Sequence, residues 1–340
     1  MHLRIATIII HITNSRSGLW LRSVSGLTGQ PGKGTGMTTR RTDIRYSILM
    51  LAMILGVTNP SHAVDGVLEI NQACAVNTGC FAGDTAGFGV TIQNPGSYRL
   101  TSNLTAPLDT SAIDITASDV TLDLNGFTVA GGGTCTGTGS GLSCTASSGT
   151  GISGSGDRIT VEDGIVRGFG SHGIEIGNHC RIANVTAMQN GGDGIKTAAY
   201  CNITSSNGSL NGGQGITTGS ASTMERCIAR SNFSDGIETN NGSTVHACAS
   251  WDNGGDGYNI AFGVTVIGNT AYLNEGDGYD TRGGVLIKAN VSYGNSGWQI
   301  RTQANSALTE NLLRNIDPGL GFIAGGGFDG GGNSCNGSAC

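Results

Sequence analysis

The chain has 340 residues, 59 of them Gly, with 12% charged and 5% aromatic residues and a formal net charge of −6. An acidic balance of this kind argues against nucleic acid and anionic membrane surfaces as partners. A chain so rich in Gly, Asn, Ser and Thr, with no apolar residues at helical spacing over two turns, is not built of helical repeats.

The first 63 residues differ from the rest. They hold seven of the 18 Lys/Arg and one of the 24 Asp/Glu, which leaves 11 against 23 in residues 64–340, a formal charge of −12. Residues 1–36 fit no part of a targeting signal and read as a start assigned too far upstream or a disordered lead. In residues 37–63, Arg40, Arg41 and Arg45 precede an apolar run over 48–57 and then Ser61, His62 and Ala63. That is the pattern of a secretory signal peptide cleaved before Val64. The apolar run is too short to span a bilayer. The expectation is an exported protein (periplasm, cell surface or medium), a monomer, with no membrane insertion after cleavage.

Residues 64–96 are expected to cap the fold and 97–313 to form its coils. Val120, Leu122 and Leu124 alternate with Thr121 and Asp123, and Ile159 and Val161 repeat that pattern after a Gly/Ser/Thr-rich excursion over 130–150. From there the period becomes strict. A Gly precedes Ile174, Ile195, Ile216, Ile237, Tyr258 and Tyr279, and Asn190, Asn211, Asn232, Asn253, Asn274 and Asn295 keep the same interval of 21. A period this short with period-two pieces such as Val264, Thr265 and Val266 predicts a parallel β-helix with two or three strands per coil. About ten coils at ~4.8 Å make a rod on the order of 50 Å long. Crossover preference makes it right-handed. Ile182, Ile203, Met224, Val245, Val266 and Ile287 form an inward column; Ala187, Gly208, Ala229, Ser250, Ala271 and Ser292 form one for small side chains. The Asn column is expected at a turn, bonding from coil to coil. Residues 314–340 are expected to close the C-terminal end.

All ten cysteines follow the signal and fall into local pairs: Cys74 with Cys80, Cys135 with Cys144, Cys180 with Cys201, Cys227 with Cys248, Cys335 with Cys340. In an exported chain this reads as five disulfides. The two pairs spaced by 21 stack on adjacent coils, at a separation a disulfide tolerates. Free thiols filling the core are the alternative.

Three columns are expected to face outward. The first is acidic and gathers Asp235, Glu238, Asp256, Asp277 and Asp280 across three coils. Stacked carboxylates repel unless a cation or a shared proton relieves them, so Asp256, Asp277 and Asp280 are candidate Ca²⁺ ligands and Asp235, Asp256 and Asp277 candidate acid–base groups. For each Asp taken singly, the plainer reading is a turn cap. The second column holds Trp251, Tyr272 and Tyr293, either a platform for sugar rings or a self-packing ladder. The third, sparse and basic, holds Arg282, Lys288 and Arg301, with Arg282 the candidate base of a lyase.

The segment Gly96 to Asn103, the segment Asp119 to Gly126 and the Asn-Gly-Gly-Asp-Gly-Ile repeats resemble exported bacterial right-handed parallel β-helix repeat proteins of the pectin-lyase-like superfamily. The resemblance implies the fold and, more loosely, action on or binding of polysaccharide. Of the polygalacturonase motifs only Ser171, His172 and Gly173 are matched, and the pectate lyase W-I-D-H and alginate epimerase D-P-H-D segments are absent, so no catalytic residue carries over. Two readings result. In one the rod engages an extracellular or envelope polysaccharide, as a lyase or glycosidase at the acidic cluster with Glu238, Trp251, Tyr272 and Tyr293 holding the chain. In the other it is a non-catalytic structural or adhesive rod.

Overall fold

Residues 66–145, 147–316 and 321–340 are described in the computed structural model, all within the compact unit Asn59–Cys340. The expected signal peptide and the segment before it lie outside the described residues.

Each regular coil carries three strands of three residues, for example Ile195–Thr197, Asn202–Thr204 and Asn207–Ser209, followed by Ile216–Thr218, Thr223–Glu225 and Ile228–Arg230. Three residues suffice because a strand here needs only one inward side chain per turn of the coil or two flanking an outward one. The first strand of every coil stacks in a parallel eleven-stranded sheet, and the other two build a larger sheet. The register is in step with the repeat: Ile174 pairs with Ile195, then Ile216, Ile237, Tyr258 and Tyr279. The fold is therefore a parallel β-solenoid of about eleven turns, in line with the expected number of coils. It runs past the expected limits at 97 and 313. Val67–Ile70 already pairs in parallel with Gly96–Leu100, and Phe328–Asp329 and Ser334–Cys335 continue the stack.

The inward column is fully buried from Ile182 to Ile287. Tyr258 and Tyr279 are core, as their column requires, with rings stacked at 4.7 Å. At 208 a Cβ would overlap the Gly215 carbonyl, so the small column is set by the approach of the next turn. The corners bend through single residues in the left-handed region, repeating by coil, as at Leu210, Ser231, Asp252 and Leu273. This backbone costs about 1 kcal/mol per non-glycine residue and is held by the inter-coil amide ladder, such as Leu210 N–H to Arg230 O and Asp252 N–H to Tyr272 O.

The Asn column is a buried ladder. Each side-chain amide donates to the Oδ1 of the next coil at 2.9–3.1 Å, from Asn190 through Asn295. A second ladder, Asn269, Asn290, Asn311 and Asn333, runs along another corner. It continues the column of Ser206, Cys227 and Cys248.

Four of the expected cysteine pairs are disulfides: Cys74–Cys80, Cys135–Cys144, Cys180–Cys201 and Cys335–Cys340. The fifth expectation is corrected, since Cys227 and Cys248 are buried free thiols. They stack as their spacing demands, but in a column where the side chain of one coil accepts the N–H of the coil before. Cys227 N–H donates to Cys248 Sγ, and Cys248 N–H to Asn269 Oδ1. The Cys227 thiol is turned to the Ile203 and Glu225 carbonyls.

A helix over Gln72–Asn77, capped by Asn71, sits at the N-terminal end. The excursion folds as a strap whose Cys135 and Cys144 face each other in an antiparallel pair. Both sulfurs lie against Asn190 O, while Ser140 N–H reaches Glu275 Oε1 at 3.1 Å. The strap thus crosses four coils, roughly 19 Å, over the Asn-Gly-Gly-Asp turns. A Cβ at Gly254 would strike its backbone at Ser140, so that turn must stay bare.

Candidate functional site

On the eleven-stranded sheet the middle residue of each strand faces out, giving Glu175, Lys196, Thr217, Glu238, Asn259, Asp280 and Arg301 in register. Beside this stripe runs the turn column His172, Asp193, Gln214, Asp235, Asp256, Asp277 and Trp298. The sequence placed that column outward; Asp235 and Asp256 are half-buried there, and the structure corrects the placing at Asp277. Asp277 is buried, its side chain 4% exposed. The turn aspartates cap the following coil rather than their own backbone. Asp235 Oδ1 accepts the Asp256 N–H, Asp256 Oδ1 the Asp277 N–H, and Asp277 Oδ1 the Trp298 N–H, at 2.6–2.7 Å.

The acids nevertheless converge. One carboxylate oxygen each from Asp256, Asp277 and Asp280 lies within 4.8 Å of the others, a compact acidic group that could hold a metal ion. Arg301 neutralises part of it, pairing with Asp277 Oδ2 and standing 3.5 Å from Asp280 Oδ1. Arg301 was visible only as one of three sparse basic residues; its role comes from the register, which sets it one coil beyond Asp280. Burial pushes the Asp256 carboxyl up to about 7, and the charges of Asp235, Asp277 and Asp280 add to this against the hydrogen bond from the Asp277 backbone. Burial likewise raises Asp280, where Arg301 opposes it. Glu238 is raised by burial and by Asp235 and Asp193, while Gln214 Nε2 donates to its Oε2 at 2.9 Å. Asp235 Oδ2 accepts from Asn259. One coil pair thus sets a half-buried carboxyl, pushed up to about 7, beside a buried carboxylate paired with a guanidinium.

Arg282 is not beside the trio in any ion pair; its guanidinium lies 5.9 Å over the Phe262 ring. It lines a 280 Å³ pocket with Glu238 and Asn259 on the far side of the stripe. The aromatic column is not part of this site. Trp251, Tyr272 and Tyr293 stand in register on the larger sheet, across the strapped turn from the acids. Tyr272, 41% exposed, stacks on Tyr293 at 5.4 Å. Platform and acids therefore face apart, and only Glu238 of the expected binding residues shares the acidic face.

No family model and no curated protein matches the chain. Among solved structures it is similar to the A-module of mannuronan C-5 epimerase AlgE4 of Azotobacter vinelandii, at 19% identity over 80% of this chain and 87% of that one, TM-score 0.43. It is similar to the Dettilon tailspike protein at 14% identity over 76% and 60%, TM-score 0.46, and to pectate lyase Pel9A at 13% over 79% and 78%, TM-score 0.40. Likenesses this distant transfer no activity. No helix among the described residues is long and apolar enough to cross a membrane.

Proposed function

We propose that the protein is an exported polysaccharide-engaging β-helix whose acidic face acts as a glycoside hydrolase. The observation that carries this reading is Asp256: a half-buried turn carboxyl, pushed up to about 7, with an oxygen within 4.8 Å of carboxylate oxygens of Asp277 and Asp280, beside the outward stripe. Environments that push the pKa values of neighbouring carboxyls apart assign acid and base roles. Asp256, protonated, donates to the leaving glycosidic oxygen. Asp280, whose charge Arg301 favours against burial, attacks the anomeric carbon as its carboxylate. Water then displaces Asp280 with Asp256 as base. Carboxyls this close suit the retaining geometry of about 5–5.5 Å and leave no room for the water an inverting pair needs. Asp277 and Asp235, whose oxygens serve backbone, amide or guanidinium donors, position the pair.

This reading moves the catalytic roles from Asp235, Asp256 and Asp277 to the pair Asp256 and Asp280, and removes Arg282 as a base. The trio does not fit Ca²⁺ as arranged. A calcium site wants six to eight oxygens, and Asp277 has spent both of its own on Trp298 N–H and Arg301. Product analysis tests the proposal. The protein is incubated with neutral and acidic polysaccharides, and shortened oligosaccharides are sought by mass spectrometry. Loss of turnover in Asp256→Asn with the fold intact is the expected outcome, and unchanged turnover refutes it.

One observation favours a second reading. The turn aspartates repeat as caps between coils whether or not they border the cluster, as Asp193 does for Gln214. A non-catalytic rod would use them in that way alone. It predicts no product from any glycan.

A further inference from the structure

Beside the acidic pair, the turn that follows the strand Tyr258–Ile260 carries an exposed aromatic side chain. Phe262 is 50% exposed. Its column neighbours, Asn241 and Gly283, are too small to cover it. A Cβ on Gly283 would stand 2.8 Å from the Ala304 carbonyl and 3.7 Å from the ring, so the glycine is set by the next coil and leaves the ring partly open. Arg282 spreads its guanidinium over the ring and is in no ion pair among the described residues. Asn241 Oδ1 accepts the Phe262 N–H at 3.1 Å, which leaves its side-chain amide donors toward the pocket, and Asn259 keeps its Oδ1 while its amide serves Asp235. Glu238 closes the pocket opposite. At 280 Å³ the space is just under the roughly 300 Å³ at which drug-sized sites begin, so it suits one ring.

We propose that Phe262, Arg282, Glu238, Asn241 and Asn259 form a subsite for a single uncharged pyranose of the polysaccharide. An aromatic edge with amide, carboxylate and guanidinium groups around it matches a ring that is apolar on its faces and hydroxylated at its rim. The surroundings select against a uronate. Glu238, Asp235, Asp256, Asp277 and Asp280 outnumber Arg282 and Arg301, and a carboxylate on the sugar would add to the like charge that, after burial, helps to raise Asp256. Asn259 follows Asp256 by three residues and is in register with Asp280, so the ring lies beside the coils that carry the reacting pair.

This rests on the polysaccharide reading above, and binding separates the two. Titration calorimetry would compare gluco-, manno- and galacto-oligosaccharides with oligouronates on the wild-type protein, on Phe262→Ala and on Phe262→Tyr. Expected are binding of a neutral series only, a roughly 5- to 10-fold loss in Phe262→Ala, recovery in Phe262→Tyr and an unchanged melting temperature. Affinity that survives Phe262→Ala overturns the subsite while leaving the Asp256 pair standing. Tighter binding of oligouronates overturns its selectivity. No binding of any neutral glycan overturns it as well, whereas turnover of some other polymer that Asp256→Asn abolishes would still uphold the pair.

Discussion

Replacing Asp256 by Asn tests the electrostatics of the cluster apart from any activity. Asn keeps the Oδ1 that accepts the Asp277 N–H but cannot ionise. An ordinary Asp carboxyl near 3.8 stands at about 7 in the fold. At about 1.4 kcal/mol per pKa unit, that difference has an upper bound of roughly 4 kcal/mol. The group is partly open to water, which screens it, so about 2 kcal/mol is the working figure. Because the folded pKa is raised, the native state binds the extra proton. The stabilisation is complete below about pH 4 and is lost as pH rises through about 7. Urea unfolding of wild type and variant across that range should give equal stabilities at the acid end. At pH 8 the variant should be more stable by about 2 kcal/mol, or roughly 4 °C in melting temperature. A difference that does not change with pH would refute the reasoning, since it would show that Asp256 ionises as freely in the fold as in the unfolded chain.

Four further outcomes follow from the same structure. Asn232→Ala, deep in the first ladder, strands the Asn211 amide and the Gly208 carbonyl; it should cost about 2–4 kcal/mol by denaturant unfolding, whereas the exposed Asn241→Ala should cost well under 1. Arg301→Gln leaves Asp277 buried without its cation; it should destabilise by about 2 kcal/mol, and Asp277→Asn in the same chain should restore most of that, read from a double-mutant cycle. In Arg301→Gln alone millimolar Ca²⁺ should raise the melting temperature, and in the wild type it should not, because only removal of the guanidinium with Asp277 intact frees a carboxylate oxygen for the ion. Alkylation of the unfolded, unreduced protein should label two thiols, Cys227 and Cys248, and alkylation of the native protein none.

The interval of 21 made the fold legible because every coil pairs with the next in the same register; a side chain's column is then its address in space. That is why the Asn ladder, the stack from Ile182 to Ile287 and the burial of Tyr258 and Tyr279 could be read from spacing alone. The second ladder had the same signal at Asn269, Asn290 and Asn311 but began under another residue type, at Cys227 and Cys248. Arithmetic of the repeat says which residues stack, and it says nothing about which way a turn residue points. Asp277 shows this: a residue in a Gly-Asp-Gly turn looks solvent-facing in sequence, yet its carboxylate folds back to take the N–H of the next coil.

By itself, then, the sequence determined the solenoid, its register and the vertical neighbours of each repeat position, since these depend only on local strand pattern and period. Tertiary structure alone decided the site. It set the platform of Trp251, Tyr272 and Tyr293 on the other side of a corner from the acids. It laid the strap over the turns between them, and it paired Arg301 with Asp277. Each of these depends on the angle between faces of a coil and on how far a desolvated charge lies from its nearest partner, which the spacing along the chain does not contain.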